Sequence, residues 1–294
     1  MMPIRNVVAA PIETAASDSQ TRPSSRYDSG DMQLPPHIDR HAMSLHGKRG
    51  LIVGVANQHS IAYGCARAMH ALGAELMLTC KDEHAYPFVE PLTRALGVPA
   101  PLPLDVMCPA TMDAVFEAID TRWGKLDFLV HSLAYANPAA LHQPLIDCAR
   151  DDFLQAMAVS CHSFIELAHR ARSLMRDGGA LMCMSYEGSQ RVVPHYNVMG
   201  PVKAALEAST RYLAQDLGPQ GIRVHTISPG PLATRAASGI EAFDQLLAQA
   251  GRAAPLSQAL SSDDVGWTAA FLASDAARCL SGSVTYVDCG AHIA

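Results

Sequence analysis

Short apolar runs alternate with helical patterns along this chain from residue 49 to its end. The runs have the length of buried strands, and they predict strands at 50–55, 74–80, 100–105, 127–132, 179–185, 223–228 and 284–288. The segments between them predict helices at 60–72, 84–96, 109–123, 150–175, 197–217 and 263–273. Regular alternation of strand and helix is typical of a parallel sheet that is covered by helices on both faces.

The alternation therefore predicts a doubly wound, Rossmann-like α/β fold in a single domain, residues 44–294. Ligands of such sheets bind beyond the carboxyl ends of the strands, so functional residues are expected in the loops that follow them. One segment, 231–256, breaks the alternation, and we interpret it as a mobile substrate lid. The first 43 residues, ahead of this domain, contain prolines and a Ser/Thr/Asp-rich stretch without an amphipathic period. Residues 1–43 are therefore predicted to be a disordered N-terminal tail.

Composition narrows the class of protein. The chain is 49% hydrophobic and 17% charged, which indicates a large core and favours a buried interface between subunits. Its net charge of −6, without a basic stripe, argues against a nucleic-acid partner. No apolar run has the length of a membrane helix, and the 13 histidines show no metal-ligand spacing, so neither a membrane nor a metal is expected. Eight scattered cysteines favour a reduced, cytoplasmic setting.

The loop after the first predicted strand, residues 54–64, has features of a phosphate-binding loop. Gly54 permits a tight turn, Ser60 is a good N-cap for the next helix, and Gly64 allows close packing of that helix on a strand. The N-terminus of a helix offers free N–H groups and a positive dipole end to a pyrophosphate. The loop lacks the G-x-G-x-x-G fingerprint, and an ordinary capped turn has the same pattern.

A tyrosine and a lysine follow the fifth predicted strand. Tyr196 lies seven residues before Lys203, which on a helix places both side chains on one face. A phenol and an ammonium so placed can serve as a proton donor and a ribose clamp for nicotinamide chemistry. Tyr186 lies ten residues upstream of Tyr196, at the end of the strand.

These motifs resemble the bacterial NAD(P)H-dependent enoyl-acyl-carrier-protein reductases, divergent members of the short-chain dehydrogenase/reductase superfamily. The resemblance rests on the loop 54–64, on Tyr186 and Tyr196 with Lys203, and on the segment 228–240. Ordinary short-chain dehydrogenases carry their tyrosine closer to the lysine, at the place of Met199, and a serine at the place of Tyr186. Both positions that serve carbonyl reduction are therefore altered together in this chain.

The resemblance implies a nicotinamide cofactor, with NADH favoured and NADPH as the alternative. It also assigns contacts to the cofactor: Gly54, Ser60 and Ile61 at the pyrophosphate, Asp105 and Val106, ending the third strand, at the adenine, Leu133 and Ala134 at the adenosine ribose, Lys203 at the nicotinamide ribose, Leu232 at the carboxamide and Thr234 near the phosphates. Taken singly, Asp105 is interpreted equally well as a helix cap, and Leu133 as a core residue.

The implied substrate is a trans-2-enoyl thioester on acyl carrier protein, reduced in fatty-acid elongation by a homotetramer. Ala136 and Tyr186 would line the acyl pocket, and the catalytic residues would be Tyr186, Tyr196 and Lys203. In enoyl reduction the hydride goes to the β-carbon, so the oxygen that gathers charge lies further from the nicotinamide than in carbonyl reduction. Moving the tyrosine three residues back shifts it by about 4.5 Å along a helix, which suits that oxygen.

Three departures from the family pattern leave alternatives open. Lys81, after the second strand, favours NADPH, whereas the adjacent Asp82 favours NADH. The acidic residues Glu241 and Asp244 disfavour an acidic carrier protein, which makes coenzyme A a second candidate carrier. Cys289 replaces a glycine near the C-terminus, where the family packs its subunits. Two rival functions remain: another short-chain reductase with a different enoyl or carbonyl substrate, and a nicotinamide-binding sensor without catalysis.

Overall fold

The strands form one parallel sheet in the computed structural model, which describes residues 39–235, 237 and 243–294. Within these residues the sheet has seven strands: β1 Arg49–Val53, β2 Glu75–Cys80, β3 Leu102–Pro103, β4 Phe128–His131, β5 Gly179–Met184, β6 Ile222–Pro229 and β7 Val284–Val287. Their order is β3-β2-β1-β4-β5-β6-β7, and all neighbours pair in parallel. The order reverses between β1 and β4, which is where ligands of doubly wound sheets bind.

The helices cover both faces of this sheet. They are α1 Ile61–Ala71, α2 Tyr86–Leu96, α3 Pro109–Trp123, α4 Pro138–His142, α5 Arg150–Met157, α6 Ser163–Ala171, α7 Met199–Leu217, α8 Phe243–Ala253 and α9 Ser262–Ala273. The predicted helix at 150–175 is interrupted, because a π-helical turn at Ala158–His162 separates α5 from α6. The predicted third strand is shortened to two residues, since Pro101 and Pro103 cannot donate to a ladder.

Alternate residues of each strand enter two separate cores. On one face Leu51 and Leu129 pack with the apolar sides of α3, α6 and α7. On the other face Ile52 and Val130 pack with α1 and α9. Because successive side chains of a strand point to opposite faces, strands buried on both sides read as continuous apolar runs. The doubly wound α/β fold predicted from those runs is confirmed.

Gly64 has a different role from the predicted one. It packs α1 against another helix, α9, rather than against a strand. A Cβ atom at Gly64 would lie 2.2 Å from the carbonyl oxygen of Ser262, and one at Gly266 would lie 2.3 Å from that of Gly64. The two glycines thus let two helix backbones touch, an approach that any side chain would prevent.

The terminal tail and the lid fall partly outside the described residues. The structure describes residue 39 onward, and Arg40–Ala294 form one structural unit. The carbonyl of Ala42 already accepts a hydrogen bond from the Ala276 N–H, at 3.0 Å. Of the predicted lid, 236 and 238–242 lie outside the described residues, and the rest includes α8. The disordered tail over 1–43 and the mobility of the lid therefore stay predictions. Among the described helices, none has the length and apolar character needed to cross a membrane.

Candidate active site

The predicted site residues gather at the carboxyl edge of the sheet. The pairing register brings the ends of neighbouring strands level, with Val53 opposite His131 and His131 opposite Cys183. The loops after β1, β4, β5 and β6 therefore start from one edge. Asp105 and Val106 lie beyond the end of β3 rather than in it, because that strand stops at Pro103.

The conformation of the loop after β1 depends on two residues, Gly54 and Ser60. Gly54 has φ +105°, and a Cβ atom there would lie 2.2 Å from the carbonyl oxygen of Ser132, so only glycine fits. The Ser60 hydroxyl oxygen accepts hydrogen bonds from the N–H groups of Ala56 and Asn57, each at 3.0 Å. Ser60 holds the N-cap position of α1 but makes no side-chain cap bond to it, so the predicted capping interaction is wrong.

This loop fits a dinucleotide pyrophosphate. The Ser60 side chain folds the loop back on itself, and Ile61 then begins α1 with N–H groups that have no partner within the helix. Such a helix start favours an anionic ligand. Leu133 borders the same loop, since its Cδ2 atom lies 3.2 Å from the position of a Cβ at Gly54. Ala134 is exposed beside it.

Lys81 and Asp82 follow β2, where an adenosine ribose would be recognised. Lys81 is exposed. One carboxylate oxygen of Asp82 accepts a hydrogen bond from the Ala85 N–H at 2.9 Å, in the turn that leads into α2. One oxygen of Asp82 therefore has a local structural role, while Lys81 presents a positive charge at the same position.

Asp105 also shapes a turn. Its Oδ1 atom accepts from the Met107 N–H at 2.9 Å, whereas the N-cap of α3 is Cys108. Asp105 thus precedes the helix without capping it. Val106 is buried beside it in the core that α3 covers.

Tyr186 and Tyr196 meet at the end of β5. Their ring centroids lie 4.9 Å apart with an interplanar angle of 65°, an edge-to-face contact, and both side chains are buried. The structure corrects how Tyr196 is placed. It lies in a turn ahead of α7, between His195 and Asn197, which have positive φ of 62° and 35°. A shift along a helix therefore does not describe its position.

Asn197 anchors this turn from the other side. Its side-chain amide donates a hydrogen bond to the carbonyl of Leu141 in α4. Asparagine tolerates positive φ better than other residues that carry a Cβ. The turn that holds Tyr196 is thus tied to the segment that follows β4.

Lys203 reaches the same end of β5 from α7. Its Nζ atom is buried and donates to the carbonyl oxygen of Met184 at 2.7 Å. Burial lowers the pKa of Lys203 to about 8, against which Cys183, Cys161 and Glu207 act to raise it. The ammonium form therefore still prevails at neutral pH.

The two phenols are neutral donors in this environment. Burial, followed by the neighbouring Tyr186 and Glu207, raises the pKa of Tyr196 above that of a free phenol. Burial and Glu187 raise the pKa of Tyr186. The Tyr186 hydroxyl donates to Glu187 Oε1 at 3.2 Å, and Glu187 Oε2 lies 2.7 Å from a guanidinium nitrogen of Arg191. A substrate oxygen would compete with Glu187 for the Tyr186 hydroxyl.

The remaining predicted residues border this centre. Ala136 is buried in the same apolar cluster as the two tyrosines. The Ser160 hydroxyl fixes the segment after β4, accepting from the N–H of Tyr135 at 2.9 Å and donating to its carbonyl at 3.0 Å. Leu232 and Thr234 follow β6 and are half-buried, and the Thr234 N–H donates to the Leu232 carbonyl at 2.7 Å.

Three residues of the site escaped the sequence reasoning. Glu207 is buried below the tyrosines, Gly188 lies against the Tyr196 ring, and Ser160 holds the segment after β4. Only Glu207 had a usable signal, because it lies four residues after Lys203 and therefore on the same face of α7.

The fold and this site define a reductase of the short-chain dehydrogenase/reductase class: a doubly wound sheet with a glycine turn that leads into a helix after β1, and with two tyrosines and a buried lysine at the end of β5. The family model of enoyl-(acyl carrier protein) reductase matches residues 54–292. The chain belongs to this family.

Similar proteins agree with that assignment. Enoyl-acyl-carrier-protein reductase (NADH) 2 of Rhizobium meliloti (strain 1021) is 46% identical over 249 residues, which are 85% of this chain and 93% of that relative. The solved structure of the Anaplasma phagocytophilum reductase in complex with NAD has a TM-score of 0.82 at 44% identity, covering 85% of this chain and 95% of that chain. The Bacillus cereus enoyl-acyl carrier protein reductase with NADP⁺ and an indole naphthyridinone has a TM-score of 0.83 at 41% identity, covering 85% and 98%.

Proposed function

We propose that this chain catalyses the NADH-dependent reduction of a trans-2-enoyl thioester, carried by acyl carrier protein, in fatty-acid elongation. The observation that carries the proposal is the buried contact between Tyr186 and Tyr196 beside Lys203. Met199 occupies the place at which ordinary short-chain dehydrogenases carry the tyrosine for carbonyl reduction. The hydroxyl that would bind the substrate oxygen is instead carried by Tyr196, in the turn ahead of α7.

Different residues at the carboxyl edge of the sheet would bind different groups of the cofactor. Gly54, Ser60 and Ile61 would face the pyrophosphate, and Lys203 would leave the Met184 carbonyl to bind the nicotinamide ribose. Further contacts would come from the residues after β3, β4 and β6: Asp105, Val106, Leu133, Ala134, Leu232 and Thr234. The bound cofactor supplies a hydride for the β-carbon of the enoyl thioester.

The side chains stabilise the charge that develops on the substrate. As the double bond is reduced, negative charge gathers on the thioester carbonyl oxygen. Tyr196, kept protonated by its raised pKa, donates a hydrogen bond to that oxygen. Tyr186 and Ala136 line the acyl pocket, where the Tyr186 hydroxyl can turn from Glu187 to the substrate. A proton then adds at the α-carbon and completes the reduction.

The choice of NADH rests on the names of the relatives, whereas the loop after β2 leaves NADPH open. Curated relatives are named as NADH enzymes, while the Bacillus cereus structure contains NADP⁺. One oxygen of Asp82 accepts a bond within its own turn, and the exposed Lys81 beside it can accommodate a 2′-phosphate. We therefore keep NADPH as a second cofactor to be measured.

The carrier is proposed from the names of the relatives, which act on acyl carrier protein. Asp244 on α8 is exposed and acidic, which disfavours an acidic carrier, and Glu241 lies outside the described residues. Coenzyme A is the alternative carrier.

We expect the purified chain to oxidise NADH when a medium-chain trans-2-enoyl thioester is added. Absorbance at the nicotinamide band would be followed with NADH and NADPH, and with acyl carrier protein and coenzyme A as carriers. A carbonyl substrate, a β-ketoacyl thioester, is the control. Binding of the cofactor without turnover of either thioester would favour a sensor, and turnover of the carbonyl substrate alone would favour an ordinary short-chain reductase.

We also infer a homotetramer in solution. The support is the exposure of two large apolar side chains on helices that contact each other, Leu154 on α5 and Tyr212 on α7, which are 56% and 75% exposed. Cys289, at φ 57°, occupies the left-handed region beside β7 and could change how the C-terminal segments pack. Light scattering during size-exclusion chromatography should give about four times the 31.4 kDa chain mass. A monomer peak at micromolar concentration would refute the tetramer.

A further inference from the structure

Glu207 is a buried carboxylate with three donors from one loop. Its side chain is on α7 and is 2% exposed. Oε1 accepts from the hydroxyls of Ser185, at 2.6 Å, and Ser189, and Oε2 accepts from the side-chain amide of Gln190 at 2.7 Å. All three donors belong to residues 185–190, which follow β5 and which we call the tyrosine loop.

The donors flank the groups that define the active site. Ser185 immediately precedes Tyr186, and Ser189 immediately follows Gly188. A Cβ atom at Gly188 would lie 2.4 Å from the ring of Tyr196, so the loop backbone rests directly on that ring. The edge of one tyrosine ring meets the other as well. A movement of the tyrosine loop would therefore displace both phenols.

We propose that Glu207 is a positioning residue for enoyl reduction, which fixes the tyrosine loop and thereby the relative placement of the Tyr186 and Tyr196 hydroxyls. The proposal rests on the proposed function and adds to it a residue that would touch neither substrate nor cofactor. Glu207 binds the tyrosine loop, and the loop in turn places the hydroxyls that would act on the substrate.

A carboxylate suits this role better than its neutral isostere. Each oxygen of a carboxylate accepts hydrogen bonds, whereas glutamine has one accepting oxygen and an amide that donates. In Glu207→Gln, the new side-chain amide would point its N–H groups at one or more of the three donors of the loop, so at least one of the three hydrogen bonds would be lost. Bonds to an ionised acceptor are also stronger than neutral ones.

The charge of Glu207 has a second consequence at the same place. It raises the pKa of Tyr196, after burial and Tyr186, and so helps to keep that phenol protonated. It also raises the pKa of the buried Lys203. Loss of the charge would thus alter both groups, and a variant that keeps the charge is needed to isolate positioning.

Ser189→Ala provides that variant, since it removes one bond to Glu207 and leaves the carboxylate. Glu207→Gln removes the negative charge and at least one of the three hydrogen bonds to the tyrosine loop. Asp216→Asn is the matched control, because Asp216 is an exposed carboxylate on the same helix. Rates, cofactor affinity and amide hydrogen exchange of the tyrosine loop would be measured for the wild type and for each variant.

We expect Glu207→Gln to lower kcat with the enoyl thioester by about tenfold or more, and Ser189→Ala by about threefold. The Kd for NADH should change by less than about twofold in Ser189→Ala, because that variant leaves the loop after β1 and the charge near Lys203 unchanged. Amide exchange should accelerate in 185–190 in both variants. The double variant should be no slower than Glu207→Gln alone, since Ser189 acts through Glu207.

Several outcomes would overturn the proposal. These are an unchanged kcat in Glu207→Gln, additive effects in the double variant, and a loss of NADH affinity in Ser189→Ala that parallels its loss of kcat, which would indicate only a general role in stability. Unchanged amide exchange of the loop in Ser189→Ala would overturn it even if Glu207→Gln failed to fold. An inactive wild type would instead contradict the proposed function, whereas an active wild type with fully active variants contradicts this inference alone.

Discussion

Tyr196→Phe should lower kcat for the enoyl thioester by about 100- to 1,000-fold, the usual effect of removing one oxyanion donor. The variant deletes a single hydroxyl from a buried ring and leaves the edge contact with Tyr186 in place. The raised pKa keeps this phenol protonated over the working pH range, so the deleted group is a hydrogen-bond donor rather than a base. Cofactor affinity should be retained, because Lys203 and the loop after β1 are unchanged.

The measurement is steady-state turnover with a saturating cofactor, together with the Kd for NADH from fluorescence. Tyr86→Phe is the control, since it makes the same change at an exposed tyrosine at the start of α2, away from the two phenols and from the proposed subunit surface. A kcat within about twofold of the wild type would contradict the assigned role. Tyr186→Phe would then be tested as the remaining donor, because its hydroxyl, bonded to Glu187, is the second phenol at the site.

The fold was accessible from the sequence because parallel strands are buried on both faces. Most of the strands are apolar runs, although β6 alternates apolar residues with Arg223 and His225, and each gap of a dozen or more residues holds a helix. Strand β3 is short for a local reason, the prolines at 101 and 103. The π-helical turn at Ala158–His162 left no readable signal, because apolar periodicity continues through it.

The site was accessible in part. Spacing pointed to Tyr196 and Lys203, and the resemblance added Tyr186. The structure brings all three to the end of β5, but the helix argument misplaced Tyr196. Its position depends on positive φ at His195 and Asn197. Such an angle is uncommon even for the residue types that favour it, so residue type alone does not predict it. Similarly, Ser60 looked like a helix cap, yet its hydroxyl binds backward to the loop. The hydrogen-bond partner of a hydroxyl depends on which groups the folded chain brings near it, and the sequence does not show this.

Glu207 shows a different limit. A glutamate on a helix is usually solvated, and nothing local marks this one as buried. Its three donors come from residues about 20 positions earlier, so the network exists only after β5 and α7 have packed. Sequence spacing places Glu207 on the same face of α7 as Lys203. Only the contacts in the folded chain show that this face binds the tyrosine loop through Glu207.

Gly188→Ala is expected to lower kcat by about 100-fold without removing any functional group. The added methyl carbon would lie 2.4 Å from Cδ1 and 2.8 Å from Cε1 of Tyr196, well inside contact distance. The tyrosine loop cannot retreat easily, because Ser185 and Ser189 bind the buried Glu207 on either side of it. The ring of Tyr196 must therefore move, and its hydroxyl moves with it.

A double variant separates displacement from general damage. If Gly188→Ala acts by moving the Tyr196 hydroxyl, adding it to Tyr196→Phe should cost little further activity, since the hydroxyl is already gone. Gly218→Ala is the control, because a Cβ at Gly218, just after α7, meets no atom within 4 Å. Multiplicative losses in the double variant, or a Gly188→Ala protein with wild-type kcat, would contradict the steric coupling. Non-additive losses with a retained Kd for NADH would show that a glycine sets the position of the catalytic phenol.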